Sequence, residues 1–128
     1  MAIPNTAGKS PQMEISVEFL NDGIKKINLK GRMDIEGTQA IDLRLATETS
    51  VQKAFIVVDL SLVEFMASVG LGVLVRSAKA LRLRGGNIVL LNPQPVVQLV
   101  LEKTGINEVM AIYHDLKTAS EALGKISS

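Results

Sequence analysis

Residues 57–75, VVDLSLVEFMASVGLGVLV, constrain the fold more than any other stretch, because a strand pattern passes directly into a helix pattern. The strand pattern begins at Ala54 and continues to Leu60 as an apolar run rich in β-branched residues. Strands of this kind are buried on both faces and usually lie in parallel sheets. The stretch therefore predicts a buried parallel strand, a sharp turn near Ser68 and a helix after it.

The remainder of the chain repeats the same two patterns after an opening hairpin. Residues 13–20 alternate apolar and polar side chains, and Asn21-Asp22-Gly23 then supplies a turn signal. The predicted strands are residues 13–20, 24–29, 54–60, 87–91 and 109–113, and the predicted helices are residues 37–50, 69–83, 96–103 and 116–123. The order β-β-α-β-α-β-α-β-α predicts an α/β fold with a mixed β-sheet and helices packed against it.

Single residues mark the predicted ends of several elements. Gly31 is expected to end the second strand, and Thr38 is a possible cap of the helix that follows. Asp115 is expected to cap the last helix, and Gly124 to end it. The chain then divides into a flexible leader at residues 1–12, one domain at residues 13–124 and a frayed tail at residues 125–128.

Composition and charge exclude several classes of protein. A chain of 128 residues is long enough for one domain with a real core, and the absence of cysteine fits a reducing compartment. Basic and acidic residues are intermixed at a net charge of +1, so no concentrated basic face is available for nucleic acid. The leader lacks a signal-peptide pattern, and no apolar run approaches the roughly 20 residues that span a bilayer. These features predict a cytoplasmic protein that binds neither nucleic acid nor membrane.

The chain shows no pattern typical of an active site or a metal site. Neither HExxH, CxxC nor GxSxG occurs, and a Ser-His-Asp hydrolase would have to use His114, the single histidine. Gly70-x-Gly72 lacks the remaining residues of a dinucleotide fingerprint or a P-loop, so close packing of a helix on the sheet explains it better. The sequence therefore predicts no catalytic residue, no metal, no cofactor and no enzyme activity.

Ser68 is the strongest candidate for a functional residue. At the start of a helix its hydroxyl lies beside free backbone N–H groups and the positive end of the helix dipole, a setting that can hold a phosphate. The structural alternative is an N-cap serine, which contributes about 1 kcal/mol. Asp59, expected at the carboxyl edge of the sheet where α/β sites gather, and Asp34, after the second strand, are weaker candidates. Both are more commonly turn or cap residues.

Three short motifs occur in order along the chain. Gly31-Arg32-Met33-Asp34 resembles the pattern G-x-(L/M)-D, residues 58–65, VDLSLVEF, resemble V-D-L-S-x-V-x-F, and residues 66–72, MASVGLG, resemble M-D-S-S/T-G-L-G. In this order and spacing they make residues 13–123 resemble a STAS domain of the bacterial anti-sigma factor antagonist family. The predicted order of strands and helices agrees with the fold of that family.

The resemblance implies a function in partner switching. In that family the serine matching Ser68 is phosphorylated by a serine/threonine kinase that is also the anti-sigma factor. The unphosphorylated antagonist binds this kinase and frees the sigma factor, the phosphorylated form releases it, and a serine/threonine phosphatase resets the cycle. This chain has Ala67 where the family usually has aspartate, which changes the charge beside the serine. It has Val69 in place of serine or threonine, which leaves Ser68 as the one acceptor in the motif.

The expected partner surface surrounds Ser68 and combines residues 32–38, residues 61–65 and the start of the next helix. Its candidate contact residues are Asp34, Ser61, Phe65, Met66, Ala67, Ser68, Val69 and Gly70, and its supporting residues are Asp59, Gly31 and Gly72. Met66 fits a soft apolar contact and a core methionine equally well. The alternative function is a STAS scaffold that senses a nucleotide or small ligand at the same surface without a phosphorylation switch. The sequence gives no indication of the oligomeric state.

Overall fold

The elements follow one another in the predicted order. The computed structural model describes residues 13–20 and 23–127, with side chains through Gly124; the predicted leader at residues 1–12, Asn21 and Asp22 of the predicted turn, and Ser128 lie outside the described residues. The elements are β1 (Met13–Phe19), β2 (Ile24–Met33), α1 (Ile35–Ser50), β3 (Phe55–Met66), α2 (Ser68–Leu83), β4 (Asn87–Leu91), α3 (Pro95–Lys103), a 3₁₀ turn (Ile106–Glu108), β5 (Ile112–Tyr113) and α4 (Leu116–Ser127). Within this part of the chain no helix combines the length and the hydropathy that crossing a bilayer requires.

The strands form one five-stranded mixed sheet in the order β1-β2-β3-β4-β5. The hairpin strands β1 and β2 are antiparallel, and every later pair is parallel. Each parallel pair is joined through a helix, as crossover connections require. The predicted α/β class and mixed sheet are confirmed.

The two faces of the sheet carry separate apolar cores. Successive residues of a strand point to opposite faces. Ile56 and Val58 therefore join a cluster with buried residues of α1, α2 and α3, whereas Val57 packs with Ala119 and Leu123 of α4. The helices α1 and α2 thus cover one face together, and their first turns lie at the same edge of the sheet because β2 and β3 are parallel.

Strand β2 is longer than predicted and contains Gly31. Its register with β3 shifts between Asn28 and Lys30 and again between Gly31 and Arg32. Gly31 has a φ of 121°, a conformation that glycine adopts far more readily than any L-residue. The prediction that Gly31 ends the strand is wrong, because the strand bulges there and continues to Met33.

Helix α1 begins earlier than predicted, and its cap is a different residue. Asp34 has extended backbone geometry, and its Oδ1 accepts a hydrogen bond from the Gly37 N–H at 2.8 Å. Thr38 lies inside the first turn and is buried, so the prediction that it caps the helix is wrong. The aspartate forms the cap because the last residue of β2 leaves it extended and one position before the first helical residue.

Strand β3 also exceeds its predicted length. It was expected to end near Asp59, and its pairing with β4 does end there, with Asp59 opposite Leu91. The strand then continues beside β2 to Met66. Asp59 therefore lies inside a strand, which corrects the prediction that it ends one.

The C-terminal elements differ from the prediction at their ends. Asp115 caps α4 as predicted, since its Oδ1 accepts a hydrogen bond from the Thr118 N–H at 2.9 Å. The helix continues through Gly124 to Ser127, so the predicted end at Gly124 is wrong and most of the predicted tail is helical. Strand β5 is shorter than predicted, because the N–H groups of Val109 and Met110 both donate to the Ile106 carbonyl in a turn, and only Ile112 and Tyr113 pair with β4.

A buried ion pair ties the hairpin to α1. The Lys25 Nζ lies 2.6 Å from the Glu48 Oε1, and the two side chains are 11% and 17% exposed. The hydrogen bond from Lys25 is the largest effect on this carboxyl and, with the lysine charge, outweighs its burial, so the pKa of Glu48 lies below its ordinary value. The pair fixes the last turn of α1 against β2.

Candidate functional site

The ends of β2 and β3 meet at one edge of the sheet and start both neighbouring helices there. Met33 lies opposite Met66 in the register, and the Met33 carbonyl oxygen accepts a hydrogen bond from the Ala67 N–H at 3.0 Å. A single residue separates each strand from the helix that follows, Asp34 before α1 and Ala67 before α2. The structure therefore brings Asp34 and Ser68 to the same edge, as the sequence predicts.

Ser68 is the first residue of α2, one position beyond its predicted place as a cap. The cap is Ala67, which has extended backbone geometry and no side chain able to accept a hydrogen bond. The Ser68 side chain is exposed, and its hydroxyl has no hydrogen-bond partner among the described residues. The structural interpretation of Ser68 as an N-cap is therefore wrong, because the hydroxyl carries out no capping here.

The backbone around Ser68 presents unpaired donors. The Ala67 carbonyl accepts hydrogen bonds from the Gly70 and Leu71 N–H groups at 3.0 and 3.2 Å. The N–H groups of Ser68 and Val69 find no acceptor in the described part of the chain, as is usual in the first turn of a helix. The first turn of α2 holds no acidic residue. A negative group on Ser68 would therefore meet free donors and the positive end of the helix dipole.

Asp34 is a structural residue of this edge. Its Oδ1 caps α1 through Gly37, while its Oδ2 lies 3.8 Å from the Arg32 Nε. A carboxylate at the N-terminus of a helix interacts favourably with the dipole. The cap interpretation therefore explains Asp34, which remains half-buried beside the expected partner surface.

The two glycines of the motif have different surroundings. A Cβ on Gly70 would lie 3.1 Å from the Met33 Cβ and 3.3 Å from the Met66 Cγ, so glycine lets α2 approach the ends of both strands. A Cβ on Gly72 would meet nothing within 4 Å. Close helix–sheet packing therefore explains Gly70 and does not explain Gly72.

Exposed apolar side chains lie at the same edge of the sheet as Ser68. Phe65 is 37% exposed, Val69 36% and Ile35 64%. The Arg32 guanidinium lies 4.5 Å from the centroid of the Phe65 ring, a cation–π contact. We call Arg32, Ile35, Phe65, Ser68 and Val69 the Ser68 surface.

Burial separates contact residues from packing residues within the predicted set. Met66 is 4% exposed and Gly70 is buried, so both lie beneath the Ser68 surface and support it. The core interpretation of Met66 applies. Ala67, which lies between Met66 and Ser68 in the chain, is half-buried.

Asp59 and Ser61 form a separate polar group. Asp59 lies seven residues before Met66, roughly 23 Å along an extended strand. Its Oδ1 accepts a hydrogen bond from the Ser61 N–H at 2.9 Å, and its Oδ2 lies 3.3 Å from the Lys26 Nζ. Burial opposes its charge, but the hydrogen bonds from Ser61 and the Lys26 ammonium outweigh it, so the pKa of Asp59 lies below its ordinary value. The Ser61 carbonyl accepts a hydrogen bond from the Gln94 side chain at 2.8 Å. Both residues therefore connect neighbouring elements and lie away from Ser68.

Sequence reasoning placed Arg32 and Ile35 in the surrounding loop but assigned neither of them a contact. One sequence signal could have identified Ile35: it is a large apolar residue, of a kind usually buried, and it directly follows the capping aspartate.

Elsewhere, His114 is exposed and lies 2.9 Å from the Gln98 side chain. No group of three His, Cys, Asp or Glu side chains within the described residues is arranged to hold a metal ion.

Known proteins share both the sequence pattern and the fold. The model of the STAS domain family matches residues 18–119. The chain is 27% identical over 119 residues to the anti-sigma F factor antagonist of Paenibacillus polymyxa, covering 90% of this chain and 100% of that protein. The crystal structure of an anti-sigma factor antagonist from Mycobacterium paratuberculosis superposes with a TM-score of 0.79 at 24% identity, covering 90% of this chain and 97% of that one. The structure of the Bacillus cell fate determinant SpoIIAA in its phosphorylated form superposes with a TM-score of 0.60 at 22% identity, covering 88% of this chain and 99% of that one. These two structures share the fold described above.

Proposed function

This chain belongs to the STAS domain family, and we propose that it is an anti-sigma factor antagonist whose partner binding is switched by phosphorylation of Ser68. The unphosphorylated form binds an anti-sigma factor that is also a serine/threonine kinase, and the phosphorylated form releases it. A serine/threonine phosphatase resets the switch. The observation that carries the proposal is the exposed Ser68 hydroxyl, which starts α2 and has no hydrogen-bond partner among the described residues.

The fold tolerates a phosphate at this position. The phosphate on the Ser68 side chain can accept hydrogen bonds from the free N–H groups of Ser68 and Val69, and the helix dipole favours it by about 0.3–1 kcal/mol. Ala67 adds no carboxylate beside the site, and the first turn of α2 holds none either. The modified protein therefore keeps its fold, and the effect of the phosphate falls on the partner.

A docked partner tolerates the same phosphate much less well. The exposed apolar side chains of Phe65, Val69 and Ile35 form a surface that an interface would desolvate. A phosphoserine in the middle of that interface carries about −1.5 to −2 charges at neutral pH. Burying such a charge without a paired cation costs several kcal/mol, and each 1.4 kcal/mol weakens binding about tenfold. A local charge thus releases the partner without refolding the domain.

The departures from the family pattern sharpen the proposal. Val69 removes the neighbouring hydroxyl, so a kinase that reads this turn has Ser68 as its acceptor. Ala67 leaves the positive end of α2 without a neutralising carboxylate, which favours the dianionic product. A single phosphorylation site is therefore expected in this motif.

Phosphorylation is tested with the purified protein, ATP and each serine/threonine kinase of the anti-sigma factor class from the source organism. Mass spectrometry of the product is expected to locate one phosphate on Ser68, and Ser68→Ala is expected to remain unmodified. Ser50→Ala, at an exposed serine at the end of α1, is the matched control and is expected to be modified like the wild type. Phosphate at another residue, or none with any of these kinases, contradicts the proposal.

A further inference from the structure

A groove of about 570 Å³ runs between α1 and α2. Thr38 and Asp42 line it from α1, and Val69, Gly72, Arg76 and Lys79 line it from α2. The α2 residues follow a spacing of three and four, which places them on one face of the helix over about 15 Å. The volume lies within the roughly 300–1,000 Å³ of small-molecule sites.

One end of the groove contains a buried hydroxyl that lacks a partner. Thr38 is 1% exposed, and its Oγ1 is buried without a hydrogen bond to any described residue. Thr47 and Thr49 of the same helix both donate to the carbonyl four residues earlier, at 2.9 Å. A buried hydroxyl without a partner is costly, and Thr38 lines the groove. A rotation of its side chain that brings the Oγ1 to a polar ligand atom would therefore gain a hydrogen bond that the free protein leaves unmade.

The other end of the groove carries excess positive charge. The Arg76 Nη2 lies 2.8 Å from the Asp42 Oδ1, so these two charges offset one another. Lys79, one turn further along α2, is exposed and has no ion-pair partner in the described ranges. An anionic group is therefore complementary to this end.

The middle of the groove is open and apolar. A Cβ on Gly72 would meet nothing within 4 Å, so the helix surface there is bare backbone rather than side chain. Val69 and Val73 flank this opening. A hydrocarbon body lying across Gly72 would displace water from this glycine and from Val69.

We propose that this groove binds a small anionic amphiphile: a hydrocarbon body with a carboxylate-like group near Lys79 and a hydrogen-bonding group near Thr38. Three separate observations support the three parts of this ligand. The buried Thr38 hydroxyl calls for the hydrogen-bonding group, the unpaired Lys79 for the anionic group, and the open surface at Gly72 for the hydrocarbon body. The groove starts at Val69 but otherwise lies apart from the Ser68 surface, so the assignment does not depend on phosphorylation.

The probe is 10-hydroxydecanoate, which carries its hydroxyl and its carboxylate at the two ends of one hydrocarbon chain. Decanoate lacks the hydroxyl, and 1,10-decanediol lacks the charge. Isothermal titration of the whole protein, below the micelle concentrations, is expected to give a Kd of about 1 mM for the probe, from the binding energy typical of each ligand atom. Decanoate and the diol are each expected to bind about fivefold more weakly.

Three variants assign each part of the ligand to its residue. Thr38→Val is expected to lower the affinity for the probe to that for decanoate, while the affinity for decanoate itself stays unchanged. Lys79→Gln is expected to lower the affinity for both carboxylate probes about fivefold and to leave the affinity for the diol unchanged. Lys103→Gln, at an exposed lysine of α3, is the control and is expected to change none of these affinities. Gly72→Leu fills the opening and is expected to abolish binding of all three probes, with a melting temperature no lower than that of the wild type as the control for folding.

Specific results overturn this assignment. The first is the absence of saturable binding by the probe. The second is an unchanged affinity of Gly72→Leu for the probe, and the third is an equal loss of affinity for decanoate and for the probe in Thr38→Val. If the probe does not bind and Gly72→Leu instead abolishes binding of an anti-sigma factor, the groove is a protein interface and the proposal is wrong.

Discussion

The Met33 carbonyl oxygen accepts a hydrogen bond from the Ala67 N–H at 3.0 Å, and this contact joins the ends of two parallel strands where both neighbouring helices begin. Residues far apart in the sequence, Asp34 and Ser68, reach one edge of the sheet because of it. The capping aspartate stabilises one helix, and the free serine starts the other. The site is therefore built from two strand ends, which α2 can approach closely because residue 70 is glycine.

Gly70 and Gly72 provide a matched pair within one helix. In Gly70→Ala the new Cβ would lie 3.1 Å from the buried Met33 Cβ, closer than ordinary contact, so a loss of about 1–3 kcal/mol in unfolding free energy is expected. In Gly72→Ala the new Cβ meets open space, and the better helix propensity of alanine is expected to add up to about 1 kcal/mol. Urea denaturation of both variants checks this, and equal effects would contradict the packing described for Gly70.

Asp34→Ala is expected to lower the free energy of unfolding by about 1 kcal/mol, because the Gly37 N–H loses its acceptor. Asp34→Asn keeps an oxygen that can cap the helix and is expected to retain most of the stability. Thermal and urea denaturation of the two variants measure the difference. A loss of the same size in both would mean that the charge of Asp34, rather than its cap, stabilises α1.

Glu48→Gln tests the buried pair with Lys25 through its pH dependence. The pKa of Glu48 is lowered in the folded protein, so its stabilisation is present above the pKa of the unfolded chain and is lost as the pH falls through the folded pKa. At pH 7 the variant is expected to be about 1 kcal/mol less stable than the wild type. The difference should shrink as the pH falls below the ordinary glutamate pKa of 4.5 and through the lower folded pKa, as urea denaturation across this range would show. A constant difference at all pH values would contradict the ion pair as its cause.

Phe65→Ala is expected to weaken binding of the anti-sigma factor at least tenfold, because a partly exposed aromatic ring at the Ser68 surface is the kind of side chain that dominates interfaces. Phe19→Ala is the matched control, since Phe19 is 80% exposed on β1 and lies away from that surface. Titration calorimetry with the unphosphorylated protein compares the two variants. Equal losses, or no loss in Phe65→Ala, would place the interface elsewhere.

The order of the elements could be predicted from the sequence because apolar periodicity is a local signal, and the 54–60 run and the stripe of α2 carry it strongly. The ends of elements could not be predicted as well. Gly31 and Asp59 read locally as strand ends, yet pairing between β2 and β3 carries both strands past them to Met33 and Met66. The capping role of Asp34 in place of Thr38 depends on that longer strand, which sets which residue is extended when the helix begins.

The candidate site was predicted in outline and misjudged in detail for similar reasons. Ser68 and the apolar residues beside it were visible in the motif. Asp59 and Ser61 are close to that motif in the chain, but an extended strand carries them away from Ser68. Lys26 is distant in sequence, yet strand pairing places it beside Asp59 as an ionic partner.

The affinity of the anti-sigma factor for the two forms of this protein is the decisive measurement of whether phosphate on Ser68 releases the partner. Unphosphorylated protein and protein carrying phosphate on Ser68 alone, verified by mass spectrometry, are titrated against the same kinase in the presence of ADP, so that no phosphate transfer occurs. The phosphorylated form is expected to bind at least a hundredfold more weakly, with circular dichroism showing the same fold in both. Equal Kd values for the two forms would contradict it.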